Sequence, residues 1–207
     1  MTDLATDKTR AGARRRPGRP RDEELDGQIV AAALELIDAE QEVTVARVVA
    51  RSGVSRAALY RRWPSLTTLV AAALDVGRRV PDAVAPGGDL RETLIALLAG
   101  ESSITDFDRT EARFRQRIRL VMADRQLQRA YWISHVSRRR EPIEAAIRDG
   151  IARGELRSDL DVEACFDAFA GAAYYQFVVR GDRFADPATR QRLRAAFDVT
   201  WRGMLAE

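Results

Sequence analysis

Residues 43–66 read VTVARVVARSGVSRAALYRRWPSL. Val45, Val48 and Val49 recur at helical spacing behind Thr44, whose hydroxyl can cap the free N–H groups of a first turn. Ser52-Gly53-Val54 breaks that pattern, and Gly53 supplies the left-handed backbone a tight turn needs. Ser55 then caps a second helix, in which Leu59 points inward and Arg56, Ala57, Tyr60 and Arg61 point outward. Pro64 ends it, because proline disfavours a helical residue before itself. The stretch carries five arginines and no acid. A helix, a tight turn and a second helix with unopposed positive charge suit the groove of duplex DNA.

The charge pattern around this element is blocked. Residues 8–21 hold seven bases and no acids, and residues 22–42 hold eight acids and no bases. Residues 43–74 are again basic only. Two positive segments flanking a negative one describe a protein with one face toward phosphates and another turned away. Residues 1–21 lack apolar periodicity and read as a disordered basic arm. Its centre, RRRPGRPRD, resembles an AT-hook, with Arg16 and Arg19 as candidate DNA contacts in a minor groove or on phosphates. A supporting helix is expected after Asp22 as N-cap, with Ile29, Ala33, Leu36 and Ile37 on its buried face. A connecting helix is expected over residues 65–79. The segment VPDAVAPGGD at 80–89 reads as a linker, which sets a helix-turn-helix unit at 22–79 and a second domain at 90–207.

The segment ARSGVSRAALYRRWPS, with the helix before it and TTLVAAAL after it, resembles the DNA-binding domain of tetracycline-repressor-like (TetR family) regulators over residues 22–79. The Gly-Val-Ser turn, the Leu-Tyr pair and the aromatic-Pro-Ser stop carry the resemblance. It implies that the second helix enters the major groove. Arg56 would then read a guanine through a bidentate fork, and Ala57 would touch a thymine methyl. Tyr60, Arg61, Arg62 and Arg47 would hold phosphates, and Thr44 and Ser55 sit at the helix N-termini. Members of the family usually carry a lysine at the start of the next helix. Leu66 stands there in this chain, so one backbone contact is missing.

Beyond the linker, five further helical stretches are expected, over about 90–102, 109–122, 124–153, 162–180 and from Pro187 onward. Pro142 is expected to kink or break the third. The whole chain is therefore all-α: a three-helix head followed by a helical regulatory and dimerisation domain, about nine helices in total. The stretch 162–180 is apolar nearly all round, which requires cover on several sides. The resemblance implies that the last two helices pair with a second copy. Phe166, Ala173, Phe177, Phe197, Trp201 and Met204 are the candidate interface residues of that homodimer. It also implies an effector pocket in this domain, for which Phe114, Ile118, Met122, Trp132, His135, Phe169 and Tyr174 are candidate lining residues. Arg113, Arg115, Arg117 and Arg119 could select an anionic effector or form a solvated face.

The chain holds one histidine and one cysteine, Cys165. No metal-ligand cluster, phosphate-binding glycine loop or paired nucleophile is present in the sequence, so neither catalysis nor a cofactor nor a metal is expected. No apolar run reaches the roughly 18 residues of a membrane span, and with no apolar h-region near Met1 a signal peptide is not expected. The expected function is a cytoplasmic, sequence-specific transcriptional regulator, a repressor released from a palindromic double-stranded operator by a small molecule. The alternative is a general or architectural DNA-binding protein without an effector, which salt titration on operator and random DNA would separate.

Overall fold

The computed structural model describes residues 21–78, 89–99 and 111–206. Arg16, Arg19 and the rest of residues 1–20 of the arm, and residues 80–88 of the expected linker, lie outside these residues. Counting each π-helical turn with the helix it interrupts, nine helices are present among the described residues. They are α1 (Arg21–Asp38), α2 (Val45–Ser52), α3 (Arg56–Arg62), α4 (Leu66–Ala73), α5 (Leu90–Ala99), α6 (Glu111–Ala123), α7, α8 and α9 (Pro187–Met204). Helix α7 runs as Arg125–Tyr131, a π-helical turn at Trp132–Val136, and Ser137–Ala152. Helix α8 runs as Val162–Tyr174 with a π-helical turn at Tyr175–Val179.

Three expectations are corrected here. Asp22 lies inside α1, which starts at Arg21. Pro142 does not break α7: the helix continues through it, and the irregularity is the π turn at Trp132–Val136, well before the proline. There the Ser137 N–H reaches back five residues to the Trp132 carbonyl. Such turns insert one extra residue into a helix without ending it. Helix α4 is also shorter than expected. Turns come after it, closed by bonds such as Arg78 N–H to the Asp75 carbonyl at 3.0 Å, with Gly77 at φ +79°.

The head core is formed by Ile29, Ala32, Ala33, Leu36 and Ile37 of α1, Val48 of α2, Leu59 of α3, and Leu69, Val70 and Ala73 of α4. All are buried, Leu59 to within 1%. Val121 of α6 and Leu127 and Tyr131 of α7 belong to the same cluster. The head is therefore seated directly on the body. A second core joins Leu90 and Leu94 of α5 to Ile143 and Ile147 of α7, Phe169 of α8 and Phe197 of α9. Phe114, Phe177 and Phe184 form a third, smaller cluster. An isolated antiparallel bridge between Leu156 and Leu205 pins the C-terminus to the turn after α7. No described helix is long and apolar enough to cross a membrane.

Candidate nucleic-acid interface

Short-range hydrogen bonds set the angle between α2 and α3. The Thr44 hydroxyl accepts the Arg47 N–H at 3.3 Å and starts α2. Gly53 ends it at φ +68°, and its N–H donates to the Val49 carbonyl at 3.0 Å. The Ser52 hydroxyl accepts the Val54 N–H at 3.3 Å, which folds the turn back. Ser55 then accepts the Ala58 N–H at 3.2 Å and starts α3. Val54, Ala58 and Leu59 are buried below the turn. With those three pinned inward, Arg56, Ala57, Tyr60 and Arg61 face solvent, Tyr60 half exposed at 50%. Ser65 repeats the cap at α4, accepting the Thr68 N–H at 3.1 Å.

Among the expected DNA contacts, Arg62 is placed differently from the rest. Its side chain is 14% exposed, and Nε lies 2.8 Å from Asp26 Oδ1 on α1. It braces the recognition helix against the supporting helix and does not project outward. Arg47 is exposed and donates from Nη1 to the Glu42 carbonyl at 3.0 Å. Trp63 packs against the head core, in keeping with its position before the proline stop.

Sequence reasoning missed the junction between head and body. Asp75, just past α4, accepts a hydrogen bond from Arg139 of α7 and lies 2.9 Å from His135 Nδ1. The same Nδ1 also lies 3.3 Å from Arg138 Nη2, so it stands between a carboxylate and a guanidinium. Burial holds the His135 pKa below the ordinary histidine value, although Asp75 pulls it upward. The Tyr131 hydroxyl accepts hydrogen bonds from Arg78 Nη1 at 2.8 Å and Arg139 Nη2 at 3.1 Å. On the far side, Arg113 of α6 forms a two-point contact with Asp38 at 3.0 and 2.7 Å. Gln116 donates to the Ile37 carbonyl at 3.4 Å. The partners of these bonds lie more than sixty residues apart in several cases, so no local pattern could have paired them.

The seven candidate pocket residues do not converge. Phe114 and Tyr174 are neighbours, with ring centroids 6.1 Å apart, and Ile118 packs on the same cluster. Phe169 belongs to the second core, stacked on Phe197 at 4.8 Å. His135 is committed to Asp75. Met122 and Trp132 are 69% and 44% exposed. None of the seven lines the cleft of about 280 Å³ bordered by Arg91, Ile95, Leu193 and Phe197. The dimer candidates differ in burial within the single chain. Phe177, Phe197 and Met204 are buried within the chain itself, and Phe166, Ala173 and Trp201 are partly buried against its cores. The apolar residues left outside are Tyr174, Tyr175, Val178 and Val179 on α8 and Val199 on α9. Helical spacing finds apolar faces but does not say which one the chain uses for its own core.

Cys165 is buried, and burial pushes its thiol pKa up, away from nucleophilic character. Among the described residues no cluster of His, Cys, Asp and Glu could hold a metal ion.

Comparison with known proteins accounts for both halves of this architecture. Residues 29–73 match the domain described as bacterial regulatory proteins, tetR family. Residues 80–197 match the tetracyclin repressor-like C-terminal domain, more than half of the chain. The uncharacterized HTH-type transcriptional regulator YdeS of Bacillus subtilis is 26% identical over 184 residues, covering 87% of this chain and 91% of that protein. The uncharacterized HTH-type transcriptional regulator Rv1556 of Mycobacterium tuberculosis is 27% identical, covering 88% of this chain and 86% of that protein. The crystal structure of the TetR family transcription regulator SCO0332 superposes with a TM-score of 0.61 at 25% identity, over 87% of this chain and 98% of that one. The capped turn, the outward arginines of α3 and the all-helical body are thus those of a known class: the chain belongs to the TetR family of DNA-binding helix-turn-helix transcriptional regulators, which are not enzymes.

Proposed function

We propose that the chain is a homodimeric repressor that holds a palindromic operator through α3 and releases it when a small molecule binds the body. The observation that carries this reading is the outward face of α3, where Arg56, Ala57, Tyr60 and Arg61 stand exposed beside a turn held by four short-range hydrogen bonds. Arg56 reads a guanine, and Ala57 contacts a thymine methyl. Tyr60, Arg61 and Arg47 hold phosphates, and the capped N-termini at Thr44 and Ser55 turn N–H groups toward the backbone. Arg62 acts indirectly, by fixing α3 on α1. The arm at 1–21, with Arg16 and Arg19, adds electrostatic grip that offsets the missing lysine at Leu66.

The head comprises residues 22–79, and the body from residue 90 binds effector and partner. Two copies meet through the exposed Tyr175, Val178 and Val179 of α8 and Val199 of α9. This sets the two α3 helices about 34–36 Å apart, one turn of duplex, in the cytoplasm where the genome lies. An effector that favours a different spacing shifts the population off DNA. The junction at Asp75 and the contacts of Arg113 and Gln116 with α1 carry that change to the head.

Selection of bound sites from random duplex DNA tests the reading. A palindromic consensus is expected, and recovery of unrelated sequences without two-fold symmetry would overturn it. Sedimentation at micromolar concentration should show a dimer. Removing residues 1–21 should weaken binding and flatten its dependence on salt.

A further inference from the structure

His135 is the only histidine of the sequence. Histidine is the side chain whose ordinary pKa puts its change of charge between about pH 5 and 8. Cys165 stays out of that range, because burial pushes its thiol pKa up. A response of the side chains to mild acid therefore centres on one residue, and the fold sets that residue at the joint between head and body.

The joint is a connected network. Asp75, just past α4, is its carboxylate. It accepts from Arg139 and stands 2.9 Å from His135 Nδ1. Arg138 Nη2 approaches the same ring nitrogen to 3.3 Å. The Tyr131 ring lies beside the imidazole, centroids 5.7 Å apart, and its hydroxyl accepts from Arg78 at 2.8 Å and from Arg139 at 3.1 Å. Arg140, next along α7, is held by Glu144 and Asp167 at 2.7 and 2.8 Å and belongs to the contact with α8. Among the described residues, the imidazole thus meets one carboxylate, two guanidiniums and a phenol ring, with a third guanidinium at the phenol oxygen. The side chains of His135 and Asp75 are only 14% and 21% exposed. Around them Leu69 and Val70 of α4 share one core with Leu127 and Tyr131 of α7, so the network sits where the head is seated. His135 itself lies in the π turn of α7, and such turns recur at functional stretches of helices.

Protonation upsets this balance. Both nitrogens of a charged imidazole are donors, so at 3.3 Å Arg138 becomes a donor facing a donor and a cation facing a cation. Asp75 attracts the new charge, but it is already bonded to Arg139. Holding a charge away from water adds a further cost. The His135 pKa is accordingly below the ordinary value, with burial as the main cause. An arrangement in which the end of α4 has moved off α7 hydrates the ring and restores the ordinary value of about 6.5. That arrangement takes up the proton first. The seated one is therefore fully favoured above about pH 6.5 and loses ground as pH falls below it.

We propose that the Asp75–His135 contact is a pH-sensitive latch between head and body, and that acidification frees the head and weakens operator binding. The inference rests on the operator-binding reading above and adds the proton as an input to it. An unlatched head must be ordered when two α3 helices are set one duplex turn apart, and that ordering is lost from the affinity.

The test is fluorescence anisotropy of the full chain on the selected duplex, from about pH 7.5 to about pH 5.5 at constant ionic strength. It is confined to the range over which circular dichroism stays unchanged. Hydrogen exchange of residues 66–78, corrected for the intrinsic rate, reads the latch without DNA. Affinity should fall about tenfold across the range. The loss should not exceed about tenfold per pH unit, because one proton is taken up. Protection of residues 66–78 should fall in parallel. His135→Gln should remove both changes. Arg138→Gln, at an exposed position, should reduce both, and it decides the matter if His135→Gln does not fold. Constant affinity overturns the proposal, as does affinity that rises in acid. A loss that persists in His135→Gln, or that is undiminished in Arg138→Gln, overturns it too. Falling protection with constant affinity removes the link to the operator. Should no operator be selected, that reading fails by itself and protection scores the latch: a fall abolished by His135→Gln keeps it, and constant protection removes it.

Discussion

In the head, Thr44, Ser55 and Ser65 each cap a helix over a separation of three residues. The groups that matter at the junction with the body lie far apart in the chain: Arg139 and Asp75 are 64 residues apart, Arg78 and Tyr131 are 53, and Arg113 and Asp38 are 75. Both regions are helical and both bury apolar stripes. The difference teaches that a helix-turn-helix can be specified locally, whereas the joint between head and body is specified only when distant segments meet. The shared core sharpens the point, since Val121, Leu127 and Tyr131 complete the head from outside it.

The largest effect should come from Leu59→Ala, which empties a fully buried site beneath α3. A loss of about 2–5 kcal/mol is expected in denaturant unfolding. Because the head core includes body residues, fluorescence and circular dichroism should report one coincident transition. Two separate transitions would break the comparison and make the head an independent unit. Next, Arg56→Ala should leave the melting temperature unchanged and cost about 1–3 kcal/mol of discrimination at one base pair, measured by anisotropy on single-site duplex variants. Uniform weakening across all sequences would reassign Arg56 to the phosphates. Ser55→Ala removes the cap of α3 and should lower stability by about 1 kcal/mol, read from the melting temperature.

The smallest effect concerns the joint. Burial lowers the His135 pKa in the folded chain, so the unfolded chain binds the proton first as pH falls through its ordinary value of about 6.5. The neutral histidine's contribution is complete above that pH and is lost as pH falls toward the folded value. Stability should therefore decline from neutral to mildly acidic pH, and His135→Gln should flatten that part of the profile. An unchanged profile would show that folding leaves the affinity of His135 for its proton unaltered.

Much of the fold was legible before any tertiary information. The period of Ile29, Ala33, Leu36 and Ile37 marked the buried face of α1, and Pro187 marked the first residue of α9. The extent of α4 was not legible: it ends at Ala73, and turns with Gly77 at φ +79° follow where the apolar period would continue the helix. At the site, Arg56 and Arg62 look equivalent in the sequence. They separate only when α1 brings Asp26 against Arg62. Phe177 and Tyr175 are likewise both aromatic residues on α8. One fills the third core and the other faces solvent, and the π turn between Tyr175 and Val179 adjusts which side each occupies.

The sequence by itself determined the helix-turn-helix, its caps, its charge and the all-helical character of the body, because caps, turns and amphipathic periods act across three to four residues. Only the tertiary structure decided which arginines face solvent and which apolar face of α8 serves the chain's own core. Those outcomes depend on which groups from distant segments arrive at the same place, and no short-range pattern encodes that meeting.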